Sequence, residues 1–108
     1  MTVDEFQHMV DQWITTTGGG YFDPLTNTAV LAEETGEVAR VMARVFGMQR
    51  PKSTDDCSKE RLADELADLL WVTAAIANQT GVNLTEAISR NLLKKNLRDK
   101  NRFKQHPQ

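Results

Sequence analysis

The sequence predicts an all-α fold: a subunit resembling a four-helix bundle, with two long central antiparallel helices, that assembles into an oligomer. First, four segments carry apolar residues at helical spacing, and capping residues or glycines mark their ends. Second, we find no segment with the pattern of a strand. Third, the segments 31–41 and 62–72 align without a gap, and their offset leaves room for a helix, a loop and a returning helix.

Helix 1 is predicted over residues 3–15. Thr2 and Glu5 form a capping box at its start, in which each side chain accepts from the other residue's backbone N–H. An apolar stripe then follows at helical spacing, formed by Phe6, Met9, Val10, Trp13 and Ile14. Glycines at 18–20 end the helix, and because no strand precedes them we interpret them as a flexible connector, not a phosphate-binding loop.

The two central helices are predicted over about 23–46 and 58–80. Asp23 caps the first of them and Pro24 occupies its first helical position, while glycines close both helices. The intervening segment, 48–58, is rich in polar residues and is predicted to be a loop.

Helix 4 is predicted to open at Asn83, with Glu86 three residues further on, and to extend to about Arg98. The polar residues 105–108 are expected to form a disordered tail, which leaves residues 1–104 as one all-α domain.

Composition excludes several classes of protein. With 26% charged and 40% hydrophobic residues, the chain has no apolar run near the roughly 20 residues that span a membrane. Its first residues show no basic segment followed by an apolar one, so we expect no signal peptide, no membrane association and a cytoplasmic location. Cys57 is the single cysteine, which rules out an internal disulfide and a cysteine-based metal site.

The aligned segments each carry a pair of acids on the face that should be apolar. Glu34 matches Glu65, and Glu37 matches Asp68. Counted at roughly 100° per residue from the leucine that opens each segment, the first acid falls near 300°, inside the apolar arc. The second falls near 240°, at the border of that arc. The sequence therefore predicts four carboxylates that point at or beside a core.

Buried carboxylates without partners are costly, so these four must be protonated, ion-paired or bound to a metal. Ion pairs with Arg40, Arg44 or Arg61 are one alternative, although Arg40 and Arg44 project mainly away from the acids. A divalent cation is the simplest explanation, and carboxylate oxygens favour Mg²⁺, with Mn²⁺ as a substitute. A di-iron bundle would need Glu-x-x-His motifs, which neither His8 nor His106 supplies.

Three residues beside the acids leave alternatives open. Glu33 and Asp64 fall near 200°, at the edge of the arc, where they either support the ligands or face solvent, and we favour solvent for Asp64. Gly36 either allows another group to approach closely or is a tolerated glycine that costs roughly 1 kcal/mol.

The segment 90–104 contains seven Lys or Arg residues and one acid. Such a run is a phosphate-binding surface, a solvated face or a nucleic-acid patch, and the acidic centre elsewhere in the chain favours phosphate. Several aromatic residues could stack on a base or pack in an interface: Trp71, Tyr21, Phe22 and Trp13.

The acidic motifs on successive helices read Glu33-Glu34-x-x-Glu37 and Glu65-x-x-Asp68. This combination resembles the MazG-like nucleotide pyrophosphohydrolases of the all-α NTP pyrophosphatase superfamily. The resemblance covers roughly residues 25–102 and includes Lys95-x-x-Arg98, similar to the family's phosphate-contacting end. The end of helix 4 departs from many relatives, so individual phosphate ligands beyond these two basic residues cannot be matched.

The resemblance implies Mg²⁺-dependent hydrolysis of a ribo- or deoxyribonucleoside triphosphate to the monophosphate and pyrophosphate, a role in nucleotide-pool housekeeping. The implied metal ligands are Glu34, Glu37, Glu65 and Asp68. Either Glu37 or Glu33 would position the attacking water. The candidate substrate-binding residues are Lys95, Arg98, Lys94, Trp71 and Tyr21.

Wide apolar arcs in so short a chain predict a homodimer, or a tetramer of two dimers, with the site near the subunit interface. Three alternatives remain at this stage: an enzyme like phosphoribosyl-ATP pyrophosphohydrolase, a nucleic-acid-binding module that uses residues 90–104, and a purely structural helical oligomer. The sequence does not decide the base or the sugar of the substrate.

Overall fold

The computed structural model describes residues 1–47 and 58–105. Within these ranges the chain forms helices only, and no strand is present. The four helices are α1 (Val3–Thr16), α2 (Pro24–Val45), α3 (Lys59–Thr80) and α4 (Leu84–Gln105). The predicted all-α, four-helix class is confirmed, and the first three helices end within a residue or two of the predicted positions.

Local side-chain chemistry sets the helix ends. The capping box at Thr2 and Glu5 is present, with both reciprocal hydrogen bonds formed. The Asp23 carboxylate accepts from the backbone N–H of Thr26, three residues further on, and satisfies a donor that α2 cannot pair internally. Gly81 closes α3 with a φ of 74°, the left-handed conformation that glycine adopts without steric cost.

Helices α2 and α3 lie antiparallel and make the most extensive helix–helix contact of the fold. Their antiparallel direction is visible at one end, where Asn27 near the start of α2 donates to Gln79 near the end of α3. Val41 and Val72, which match each other in the aligned segments 31–41 and 62–72, are buried. We call this helix pair the α2–α3 hairpin.

Helix α1 packs across α3 and completes the core. Val10 and Ile14 are buried against Ala74 and Ala75, whose small side chains let the two helices approach closely. Within the predicted apolar stripe of α1, Met9 and Trp13 are 39% and 49% exposed. The buried face instead runs through Gln7, Val10 and Ile14, the line that faces α3.

Gln7 connects three helices through its buried amide. Its Nε2 donates to Asn78 Oδ1 at 3.1 Å and to the Val82 carbonyl at 3.0 Å. Its Oε1 accepts from the backbone N–H of Leu84, the first residue of α4, at 2.8 Å. In return, Asn78 Nδ2 donates to the Gln7 carbonyl at 2.9 Å. These bonds fix the start of α4 relative to α1 and α3.

Helix α4 is longer than predicted: it continues to Gln105, beyond the expected end near Arg98. It packs on α1, and four apolar side chains along it remain more than half exposed: Ile88, Leu92, Leu93 and Leu97. The predicted tail therefore begins at the last residue of α4, and residues 106–108 lie outside the described part of the chain, as do residues 48–57 of the predicted loop.

Candidate metal centre and adjoining cavity

Three of the four predicted ligands meet in the middle of the α2–α3 hairpin. Glu34 from α2 and Glu65 and Asp68 from α3 each offer a carboxylate oxygen, and these oxygens lie within 4.8 Å of one another. The three-residue spacing on α3 places two carboxylates on one helical face, and antiparallel packing brings the third against them. We call these three residues the carboxylate trio.

The trio concentrates negative charge in a partly desolvated place. Glu65 is only 5% exposed, although Arg61, one turn earlier, contacts one of its oxygens at 2.9 Å. Burial raises the pKa of Glu34 above its ordinary value, and the negative charges of Asp68, Glu65, Glu37 and Glu33 raise it further. Arg61 brings one positive charge to the three carboxylates of the trio, so the site favours a cation.

The donor set fits a hard divalent ion. It consists of carboxylate oxygens, without histidine or cysteine, and it converges from two rigid helices. Mg²⁺ and Mn²⁺ prefer such oxygens and take few protein ligands when substrate phosphates complete their coordination. The trio could therefore hold such an ion while leaving part of its coordination sphere open.

The fourth predicted ligand, Glu37, lies outside the trio. Its side chain is 42% exposed, and its Oε2 contacts Arg40 Nη2 at 2.7 Å. The expectation that Arg40 projects away from the acids is wrong, because its long side chain reaches back one turn to Glu37. Glu37 still lies close enough for its charge to help raise the pKa of Glu34.

The remaining candidates beside the trio face solvent. Glu33 and Asp64 are both exposed, as is His8. A Cβ atom built at Gly36 would meet no described atom within 4 Å, apart from the backbone of its own helix. Among the described residues, nothing approaches Gly36 closely.

A cavity of about 300 Å³ opens between α1, the glycine connector and the α2–α3 hairpin. Its lining includes all four aromatic residues that were predicted as stacking candidates: Trp13, Tyr21, Phe22 and Trp71. The rings of Trp13 and Trp71 meet edge to face, with centroids 5.4 Å apart and planes at 85°. The Tyr21 hydroxyl donates to Asp11 at 2.6 Å. Burial raises the pKa of Tyr21, and the hydrogen bond to the Asp11 carboxylate raises it further.

The cavity adjoins the carboxylate trio along the hairpin. Val30, which lines the cavity, precedes Glu34 by four residues, and Val72, which also lines it, follows Asp68 by four. Four residues correspond to about 6 Å along a helix and return to nearly the same face. An apolar, aromatic cavity and an acidic centre are thus neighbours on one surface of the hairpin.

Two polar residues at these sites were not predicted. Asn27 is 5% exposed, lines the cavity and donates from Nδ2 to Gln79 Oε1 at 2.8 Å. A signal for Asn27 was present, because it stands on the face of Glu34, seven residues earlier. Gln79, by contrast, has a position that no motif marks.

The basic candidates Lys94, Lys95 and Arg98 are exposed on α4. They are not among the described residues that line the cavity or form the trio. Their contact with phosphates stays a prediction.

Comparison with known families identifies this all-α fold as that of a nucleotide pyrophosphohydrolase. Residues 22–103 match the MazG nucleotide pyrophosphohydrolase domain, and the chain belongs to that family. Within the described residues, no helix is both long and apolar enough to cross a membrane.

Individual relatives agree with this assignment. The chain is 37% identical over 102 residues to the Bacillus subtilis protein YpjD, covering 94% of this chain and 90% of the relative. The crystal structure of YpjD superposes with a TM-score of 0.77 at 34% identity, covering 89% of this chain and 94% of that chain. A Bacillus-conserved MazG protein, a nucleotide pyrophosphohydrolase, superposes with a TM-score of 0.74 at 32% identity, covering 89% and 90%.

Proposed function

We propose that this protein hydrolyses a ribo- or deoxyribonucleoside triphosphate to the monophosphate and pyrophosphate in a Mg²⁺-dependent reaction. One observation carries the proposal: the carboxylate trio lies one helical turn from an aromatic cavity. An acidic metal centre suits the phosphate chain, and an aromatic cavity suits a base. A role in nucleotide-pool housekeeping would place the protein in the cytoplasm.

In this arrangement the base enters the cavity and the phosphate chain extends along the hairpin to the trio. Trp13, Trp71 and Tyr21 line the cavity and would supply flat apolar surface for the base. Glu34, Glu65 and Asp68 would hold the divalent ion, with Glu37 as a further ligand or as the group beside the water.

The chain's own residues have distinct parts in the reaction. A bound divalent ion would neutralise charge on the phosphate oxygens. Glu37 is the better candidate to position and deprotonate the attacking water, because Arg40 fixes its carboxylate, whereas Glu33 is exposed. Lys94, Lys95 and Arg98 would stabilise the departing pyrophosphate when α4 of another subunit closes over the site.

Assembly would supply that closure. Large apolar side chains are exposed on both α3 and α4, including Leu66 and Leu70 at 44% and 60% and Leu92 and Leu97 at 57% and 58%. Exposed apolar surface of this extent is typical of protein interfaces. We therefore propose a homodimer, or a tetramer of two dimers, which light scattering of the purified protein measures directly.

A product screen tests the proposed reaction. The protein is incubated with each common ribo- and deoxyribonucleoside triphosphate, and with phosphoribosyl-ATP, in Mg²⁺ or in excess chelator. The proposal predicts pyrophosphate and a monophosphate with Mg²⁺ and neither product with chelator. Release of a diphosphate and single phosphate would place the cleavage elsewhere, and activity on phosphoribosyl-ATP alone would assign that substrate instead.

A further inference from the structure

A chain of two side-chain amides ends at the cavity and has a fixed polarity. The two amides are those of Gln79 and Asn27, and the chain begins at the Phe22 backbone carbonyl. This carbonyl can only accept a hydrogen bond, and Gln79 Nε2 donates to it. The other end of that amide, Gln79 Oε1, must then face outward as an acceptor, and Asn27 Nδ2 donates to it at 2.8 Å. Neither amide can rotate by 180° without placing two acceptors or two donors face to face.

This polarity leaves one atom of Asn27 for a ligand. Asn27 is 5% exposed and lines the cavity, whereas Gln79 does not line it. None of the described residues donates a hydrogen bond to Asn27 Oδ1. Asn27 Oδ1 is thus an acceptor at the cavity that an occupant carrying an N–H group could use.

The position of Asn27 suits a base and not a phosphate. Asn27 precedes Glu34 by seven residues, which is two helical turns, or about 10 Å, along the same face of α2. The indole rings of Trp13 and Trp71 line the same cavity. A flat heterocycle that stacks on one of these rings would present its polar edge, and not its apolar faces, to the carboxamide.

We propose that Asn27 is a specificity-determining residue that accepts a hydrogen bond, through Oδ1, from an N–H on the polar edge of the nucleobase. Gln79 is the positioning residue, because its bond to Phe22 sets which atom of Asn27 faces the cavity. This inference rests on the proposed function, since it takes the cavity to be the base site. It predicts rejection of bases whose edge N–H groups are replaced by methyl groups.

The experiment compares each accepted triphosphate with its N-methylated counterpart: N4,N4-dimethylcytosine, N6,N6-dimethyladenine, N3-methyluracil or N1-methylguanine. Wild-type kcat/KM should fall about 10- to 100-fold on methylation, the effect of one unmet buried hydrogen bond. Asn27→Leu should reduce kcat/KM for the normal base by a similar factor and handle both substrates alike. Thr28→Leu, at the exposed neighbouring position, should retain the wild-type preference.

The conservative variant Asn27→Asp separates recognition from structure. Aspartate keeps an acceptor for the base but cannot donate to Gln79, so this variant should be less stable and still prefer the normal base. If Asn27 only ties α2 to α3 through Gln79, Asn27→Asp and Asn27→Leu should lower stability without changing the ratio between the two substrates. That result would overturn the inference.

Binding of the nucleoside monophosphate keeps the inference testable apart from turnover. In equilibrium dialysis, wild type should prefer the unmethylated monophosphate, whereas Asn27→Leu should bind the normal and the methylated monophosphate equally. A preference in binding without triphosphate hydrolysis would refute the proposed reaction and leave the role of Asn27 intact. Hydrolysis with equal binding of normal and methylated monophosphates would refute the role of Asn27 alone.

Discussion

Replacement of Gln7 by alanine should destabilise the fold by an amount that the structure allows us to work out. Gln7 is 9% exposed, and its side chain makes hydrogen bonds to Asn78, Val82 and Leu84. At about 1 kcal/mol of net stability for each, their loss amounts to about 3 kcal/mol. For a domain of this size, about 4 °C of Tm for each kcal/mol gives a decrease of about 12 °C.

The measurement is thermal unfolding followed by circular dichroism, with urea unfolding at 25 °C as a second determination of stability. Gln12→Ala is the matched control, because Gln12 is the same residue type on the same helix and is exposed. The control should shift Tm by no more than one or two degrees. Equal shifts for Gln7→Ala and Gln12→Ala would refute the idea that Gln7 holds the start of α4 in place.

Two further substitutions test the site and its surroundings. The pKa of Glu34 in the folded protein is raised above its ordinary value of 4.5. The contribution of Glu34 to stability is therefore complete below pH 4.5 and is lost as the pH rises through the raised pKa. Glu34→Gln should therefore remove this loss of stability with rising pH and leave the metal-free protein as stable or more stable at pH 7. It should also weaken the stabilisation by Mg²⁺. Thermal melts across pH, with and without Mg²⁺, measure all three effects. A metal-free wild type whose pH profile matches that of Glu34→Gln would contradict this reasoning. Gly36→Ala should stabilise the protein by up to about 1 kcal/mol, since a Cβ there meets open space, and should leave kcat/KM unchanged. Loss of activity in a stabilised Gly36→Ala protein would show instead that substrate or another subunit approaches this glycine.

The features that sequence predicted are those encoded locally. Helix ends depend on residues within one turn, and so the caps at Thr2 and Asp23 lie where the prediction has them. Helical phase also placed Glu34 and Glu65 toward the interior before any contact was known. Their convergence with Asp68 then required only that two long helices pack antiparallel.

The features that sequence missed depend on partners distant in the chain. Gln7 is buried because its partners lie 71 to 77 residues away, and no local pattern marks a glutamine for that role. Asn27 also has a distant partner, 52 residues away, although its place on the face of Glu34 is visible in the sequence. Helical phase also describes where a side chain starts and not where it ends, and so the contact of Arg40 with Glu37 was not expected. Lys95 is exposed and lies outside both the cavity lining and the trio, so its contact with phosphate stays a prediction.

The most direct measurement of the central claim compares two neighbouring acids on α3. Glu65 is buried within the carboxylate trio, whereas Asp64 is exposed. With Mg²⁺ and the preferred triphosphate, the activity of Glu65→Gln should fall more than roughly 100-fold. That factor is the upper end of the loss seen when a residue that only supports a metal ligand is replaced. Asp64→Asn should keep nearly full activity, and both variants should remain folded by circular dichroism. A folded Glu65→Gln protein with wild-type rate and wild-type Mg²⁺ dependence would contradict the assignment of the metal centre.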